Sequence, residues 1–246
     1  MDGSRTTWIN TTHDWAAAVD AEHLAGIRRD AGGFAPGGVE HLVLEVLAYA
    51  ADEAAGRGAG RCVVTLHADG SVSVRDDGRG TDTRVDERGE VVKKPVMATK
   101  DLRFFDSPEN SPEGSPEDST ENSSEASPAA ERLPDGRPRR GMSVVAALST
   151  RLLHTNRRRN GAWTQRYEHG IPVTGLDPIE PDGTTGTCVT FLPDASLVPQ
   201  SPVDAHRLVR WAAHWPALDV RVEDRRDDGW QERAGVSVAD SSEPIL

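Results

Sequence analysis

Val39, Leu42, Val43, Val46, Leu47, Ala50 and Ala54 recur three and four residues apart, which predicts a helix from about Val39 to Ala55. Glu40, Asp52 and Glu53 punctuate another of its faces, and Gly56, Gly58 and Gly60 read as its end. An Ala-rich pattern upstream predicts a helix over Asp14–Leu24 that stops near Gly26, and AGGFAPGG, ending at Gly38, reads as a loop. The period then changes from helical to alternating. CVVTLHA and SVSVR flank Asp69-Gly70, a strong hairpin signal, and the second strand runs directly into Asp76–Gly80, DDGRG. Residues 81–106 are mixed, with a short helical candidate near Val96–Leu102.

Pattern resumes at Gly141–Ser149 (GMSVVAALS), which reads as a helix. RLLHTN and AWTQRYEH follow as strands, joined through RRRNG with Asn160-Gly161 as the turn. GTCVTFLP, beginning at Gly186, is another strand, and LDVRVED a last one. Between them Val203–His214 reads as a helix ending before Pro216. This order predicts an α+β fold, a two-layer sandwich with helices on one face of a mixed, largely antiparallel sheet.

Composition changes this picture at one place. From Ser107 the chain repeats Ser, usually Pro, and Glu every four residues, a composition that cannot build a packed core. Residues 107–135 therefore read as a disordered acidic insertion in a single domain spanning 13–240, with a loose N-terminus (1–12) and a tail (241–246). Segment 107–131 holds seven acids and no Lys or Arg, so it carries more than half of the net charge of −12. An acidic surface gives no electrostatic footprint for a phosphate backbone, which argues against autonomous DNA binding. Two cysteines, Cys62 and Cys188, are too few for a disulfide framework or a zinc site and read as small buried hydrophobes. With no signal peptide and no apolar run near 20 residues, the chain reads as cytoplasmic, without a membrane partner.

Three features in order can carry chemistry. The Val39–Ala55 helix bears Glu45, which could act as general base for a water. The hairpin ends in Asp76, whose carboxylate can accept a hydrogen bond from an exocyclic amine, with Gly78 and Gly80 beside it for a flat ring to approach. The turn Gly136–Gly141 opens a helix whose amides and dipole could meet phosphate.

GGVEHLVLEVLAYAADEAAGR…VTLHADGSVSVRDDGRG resembles the gyrase-B-type ATPase domain of the GHKL (Bergerat-fold) family. GMSVVAALS, RYEHGIPV and TTGTCVTFLP extend the likeness over roughly residues 20–235, with 81–135 matching poorly. The resemblance implies an ATP or ADP site between helices and sheet under a lid. In it Glu45 would activate water and Asp76 would receive the adenine amino group. Gly78 and Gly80 would line the base pocket, and Thr187 would hold its water network. Val46, Ala50, Val74, Met97 and Val189 would form apolar walls, Arg79 and Glu53 would close the rim, and Gly136 and Gly141 would belong to the lid.

The departures from the family pattern lie on the phosphate side. Where the family places the Asn that holds Mg2+, this chain has Tyr49, and a neutral phenol is a poor ligand for that cation. The preceding position, Asp in the pattern, is Ala48. The family's glycine-rich lid run is DGRPRRG here, with Pro138 and Arg139 inside it. Arg137, Arg139 and Arg140 could serve a triphosphate or pair with the acidic segment just upstream. The family's catalytic lysine lies in a following domain, and the chain ends at Leu246. The expectation is a monomeric, stand-alone module that binds adenine nucleotide with little or no intrinsic hydrolysis, serving a protein partner yet to be identified. Two alternatives remain: an ATPase completed by a partner chain supplying the lysine and related to topoisomerase function, or a nucleotide-free interaction scaffold.

Overall fold

The computed structural model describes residues 19–85, 91–93, 96–105 and 131–227. The expected loose N-terminus, the first residues of the Asp14 helix, residues 107–130 of the acidic segment and the tail lie outside the described residues. Helix α1 (Ala21–Arg29) starts where Asp20 caps it, accepting from the His23 amide at 3.0 Å. It runs through Gly26 instead of stopping there, because Leu24 and Ile27 are buried on either side of that glycine. The Gly/Pro cluster is also more ordered than its composition suggests. Asp30 ends α1 and caps a single turn, α2 (Ala31–Phe34), by accepting from the Gly33 amide.

Helix α3 (Gly38–Arg57) is the long central helix and passes Gly56 before closing on Gly58, whose φ of +87° is the left-handed cap. It buries its apolar residues against strands β1 (Gly60–His67) and β2 (Val72–Asp76). These form the expected hairpin. Strands β3 (Thr83–Val85) and β4 (Val91–Lys93) make a separate antiparallel pair that the sequence pattern does not announce. The helical candidate at 96–102 becomes a turn. Asp101 accepts from the Arg103 amide and delays the helix, α4 (Leu102–Phe105).

Helix α5 (Met142–Ala147) is shorter than expected, since Ser149 already begins β5 (Ser149–Arg158). Strand β6 (Gly161–Glu168) pairs with β5 through the Asn160-Gly161 turn. Two minimal strands, β7 (Ile171–Pro172) and β8 (Asp177–Pro178), both pair with β6. Strand β9 (Gly186–Pro193), helix α6 (Ala205–Ala212) and strand β10 (Leu218–Arg225) complete the order. Asp204 caps α6, so Val203 stays outside it.

The main sheet has eight strands in the order β10-β1-β2-β9-β5-β6-β7, with β8 also on β6. All its pairings are antiparallel except β1 with β10, so the fold is the expected α+β sandwich. Inward positions line up in rows across the strands. Leu66, Val72, Phe191 and Leu152 form one row, and Val64, Val74, Val189 and His154 the next. Strand period places Asp76 on the same inward face as Val72 and Val74, at the end of that face. His67 supports the hairpin through a 2.8 Å bond to Ser73. Cys62 is buried as expected, whereas Cys188 is only half-buried. No helix among the described residues is long and apolar enough to cross a membrane.

Candidate functional site

The carboxyl-terminal end of β2 and the beginning of β9 form the floor of a cavity of about 550 Å3. Its walls come from α3 above, where Val46, Ala50 and Glu53 share one stripe at four- and three-residue spacing. Val74 and Val189 face them from the sheet, and Met97 closes the side. Asp76 sits at the floor beside Thr187, whose hydroxyl donates to Oδ2, while Oδ1 accepts from the Gly78 amide at 2.8 Å. Burial pushes the Asp76 carboxyl above its ordinary value, and the Thr187 and Gly78 donors pull against that. The group is therefore a pre-oriented acceptor in an apolar setting, where a donor from a flat ring would be strongly held.

Gly80 lines the cavity with φ +82°, and an added Cβ would stand 2.5 Å from the Arg157 carbonyl oxygen. At the rim Arg79 makes a two-pronged pair with Glu53, at 2.7 and 3.0 Å. The structure thus brings together Val46, Tyr49, Ala50, Val74, Asp76, Arg79, Gly80, Met97, Thr187 and Val189 around one space. Gly78, Glu45, Gly136 and Gly141 are not among its lining residues. Gly136 is in an exposed turn, where its φ of +80° lets the amide reach Leu133 O. His154, Thr81, Asp82, Arg103, Arg158, Val96 and Met142 also line the cavity, and sequence reasoning passed over them. For His154 a signal existed, because it alternates in phase with the buried Leu152 of β5.

Glu45 is completely buried, and its two oxygens accept from the backbone amides of Arg140 (2.6 Å) and Gly141 (2.8 Å). The two amides just before α5 are thus already engaged by a carboxylate of the protein. Behind Glu45, His41 Nε2 lies 3.5 Å away while its Nδ1 meets Asp135 at 2.7 Å, so the turn before α5 is tied to α3 twice. Burial raises the Glu45 carboxyl from an ordinary 4.5 to about 7, with His41, the two amides and Arg139 acting in the opposite direction. Between those values the folded state binds more protons than the unfolded one, so stability falls as pH rises from about 4.5 to 7. Melting temperature should decline across that window, by the equivalent of up to about 3 kcal/mol. Glu45→Gln should remove most of the decline in a series of thermal melts; an unchanged slope would assign the proton uptake to another group.

Tyr49 lies one turn along α3 from Glu45, and its hydroxyl donates to Asp101 Oδ2 at 2.6 Å. Its ring faces the Arg139 guanidinium at 4.7 Å and that of Arg103 at 5.6 Å, and Phe104 faces both at 4.9 Å. Arg139 is 1% exposed at its side chain and bonds Asp52 through both terminal nitrogens (3.1 and 2.7 Å) and Glu131 at 2.9 Å. Of the two roles open to Arg139 in the sequence, the structure shows carboxylate pairing, one of its three bonds going to Glu131 of the acidic segment.

No family model matches this chain. It is 33% identical over 196 residues to the B subunit of DNA gyrase from Thermotoga maritima, covering 76% of this chain and 27% of that protein. To the chloroplastic/mitochondrial gyrase B protein of Nicotiana benthamiana it is 34% identical over 170 residues, 68% of this chain and 21% of the relative. To the gyrase B protein of Haloferax volcanii it is 30% identical over 202 residues, 78% and 28% respectively. The chain spans about a quarter of the length of the curated relatives it matches. Matched over most of its own length by these relatives, and folded as a helix-over-sheet sandwich, this chain belongs to the gyrase-B-like GHKL family.

Proposed function

We propose that this chain is an adenine-nucleotide-binding module in which the base side of the site is kept and the phosphate side is given over to protein contacts. The observation that carries the reading is the contrast along α3. At one end Asp76 offers an acceptor on the floor of an apolar cavity; at the other Tyr49 and Arg139 stack against each other and Glu45 is covered. In this reading Asp76 accepts from the adenine amine, while Val46, Ala50, Val74, Met97 and Val189 hold the ring faces. Gly80 allows the backbone to approach it, and the Arg79–Glu53 pair excludes water at the rim.

The residues present do not fit a magnesium ion at the family's position. The Tyr49 oxygen is a neutral phenol committed as a donor to Asp101, and burial holds its proton on by raising its pKa. A hard cation takes carboxylate, amide or water oxygens instead. Nor can Glu45 reach a water in the cavity while the Arg140 and Gly141 amides cover it. Hydrolysis at a useful rate is therefore not expected from this chain alone, and its role is regulatory or binding, in the cytoplasm and with a protein partner.

Titration calorimetry with ADP and ATP, with and without Mg2+, tests the reading alongside a phosphate-release assay. Binding without turnover is expected; tight, metal-dependent ATP binding with turnover would refute it. A second reading, an ATPase completed by a partner chain, has one observation in its favour. A Glu45 pKa of about 7 suits a general base near neutral pH. It requires turnover that appears only with the partner and vanishes in Glu45→Ala.

A further inference from the structure

We infer that the cavity selects adenine ligands with no phosphate tail or a short one, of the adenosine or AMP kind, over ATP. This rests on the reading that Asp76 holds an adenine ring, and it concerns what can follow that ring. With the base on Asp76, the rest of the ligand would run beside α3 toward Tyr49 and Asp52, which line the cavity together with Arg103. Among the described residues that line it, that end presents none of the three things a polyphosphate needs.

The first is a cation able to receive it. The cavity lining carries the carboxylates of Asp52, Glu53, Asp76 and Asp82 against three guanidiniums. Each guanidinium is already paired: Arg79 with Glu53 at 2.7 Å, Arg103 with Asp101 at 2.8 Å, and Arg158 with Asp82 at 3.0 Å. Arg139, just behind the lining, is closed in by Asp52 and Glu131 and stacked between Tyr49 and Phe104. Its remaining Nε is buried without a hydrogen-bond partner and cannot be reached without opening the stack. The second need is a row of backbone amides, and the two that lead into α5, of Arg140 and Gly141, are held by Glu45, which shortens any such row. The third is a metal ligand, and Tyr49 is not one.

An ATP tail of three to four negative charges would therefore enter a lining already net negative, and each phosphate would have to displace a carboxylate from an arginine. The charge balance inverts the usual order, in which affinity grows with the number of phosphates. The closure also has a defined origin. Asp101, Arg103 and Phe104 come from just before residues 106–130, and Glu131 and Arg139 from just after, so both flanks of that segment meet at Tyr49.

Titration of the full chain with adenosine, AMP, ADP and ATP at fixed ionic strength, with and without Mg2+, tests this. Adenosine is expected to bind about tenfold or more tightly than ATP, equivalent to ~1.4 kcal/mol, with Mg2+ shifting the ATP Kd less than about twofold. ATP binding tenfold tighter than adenosine would overturn the selectivity and leave the adenine reading standing. Failure of all four to bind would overturn both. Asp52→Asn separates charge from shape. The position is partly exposed and the change isosteric, and it frees Arg139 and Arg103 of a carboxylate. The ratio of ATP to adenosine affinity should rise about tenfold in this variant. An unchanged ratio in a variant with wild-type melting behaviour would overturn the electrostatic basis of the proposal.

Discussion

Gly186→Ala is expected to destabilise this protein by about 3 kcal/mol or more and to abolish ligand binding in the same step. Gly186 opens β9 with φ +125°, a conformation that L side chains rarely adopt, and it lies against the end of β2. A Cβ there would overlap the Asp76 carbonyl oxygen and stand 2.8 Å from its carbonyl carbon. Both are backbone atoms held in the β1–β2–β9 ladder, so no side-chain rotation relieves the clash. The start of β9 must move away from β2, and Thr187 moves with it, releasing the Asp76 carboxylate it positions. Urea denaturation and ADP titration on the same sample measure both effects. Wild-type stability in the variant would show that the β2–β9 junction tolerates a wider spacing than its hydrogen bonds imply.

The second large effect is on binding alone. Asp76→Asn should weaken adenine nucleotide binding by about two orders of magnitude, the upper range for loss of a hydrogen bond to a charged acceptor. Asparagine keeps the shape of the side chain and one acceptor for the Gly78 amide, but it turns an amide donor toward the ligand's amine. The melting temperature of the apo protein should stay within a degree or two, because the substitution also removes a carboxylate that burial disfavours. Unchanged ADP affinity in a folded Asp76→Asn protein would point to the interaction-scaffold reading instead.

Local chemistry made much of this site legible before any tertiary information. Asp76 stood out because it ends the hairpin strand with Gly78 and Gly80 beside it; the structure adds that it is in phase with the inward valines of VSVRD, where a buried carboxylate calls for a partner. Val46 and Ala50 were readable as part of the apolar stripe of a strongly periodic helix, whereas Glu53, read with Glu40 and Asp52 on another face, lines the same cavity one turn on. Helix ends were less legible where side-chain caps decide them. Asp20, Asp30, Asp101 and Asp204 each shift a boundary by accepting backbone amides that periodicity does not see. The pair β3–β4 was missed because strands of three residues hold too little pattern to alternate visibly.

The amino-acid sequence by itself determined the two-layer class, the central helix and hairpin, and a carboxylate, Asp76, at the end of that hairpin. These are matters of period, turn chemistry and residue type, which act over a few neighbours; that Tyr49 stands where a metal ligand would be expected follows only from the family resemblance. Only the tertiary structure decided what the arginines do. Arg139 lies 87 residues from Asp52 in the chain, and with 40 acidic residues available no spacing rule names its partner. The fold chooses it by burying the guanidinium between two aromatic rings, where it must be paired at once, and Asp52 and Glu131 are the carboxylates within reach. The fold likewise brings the amides of Arg140 and Gly141, 95 and 96 residues away in the chain, onto the buried carboxylate of Glu45.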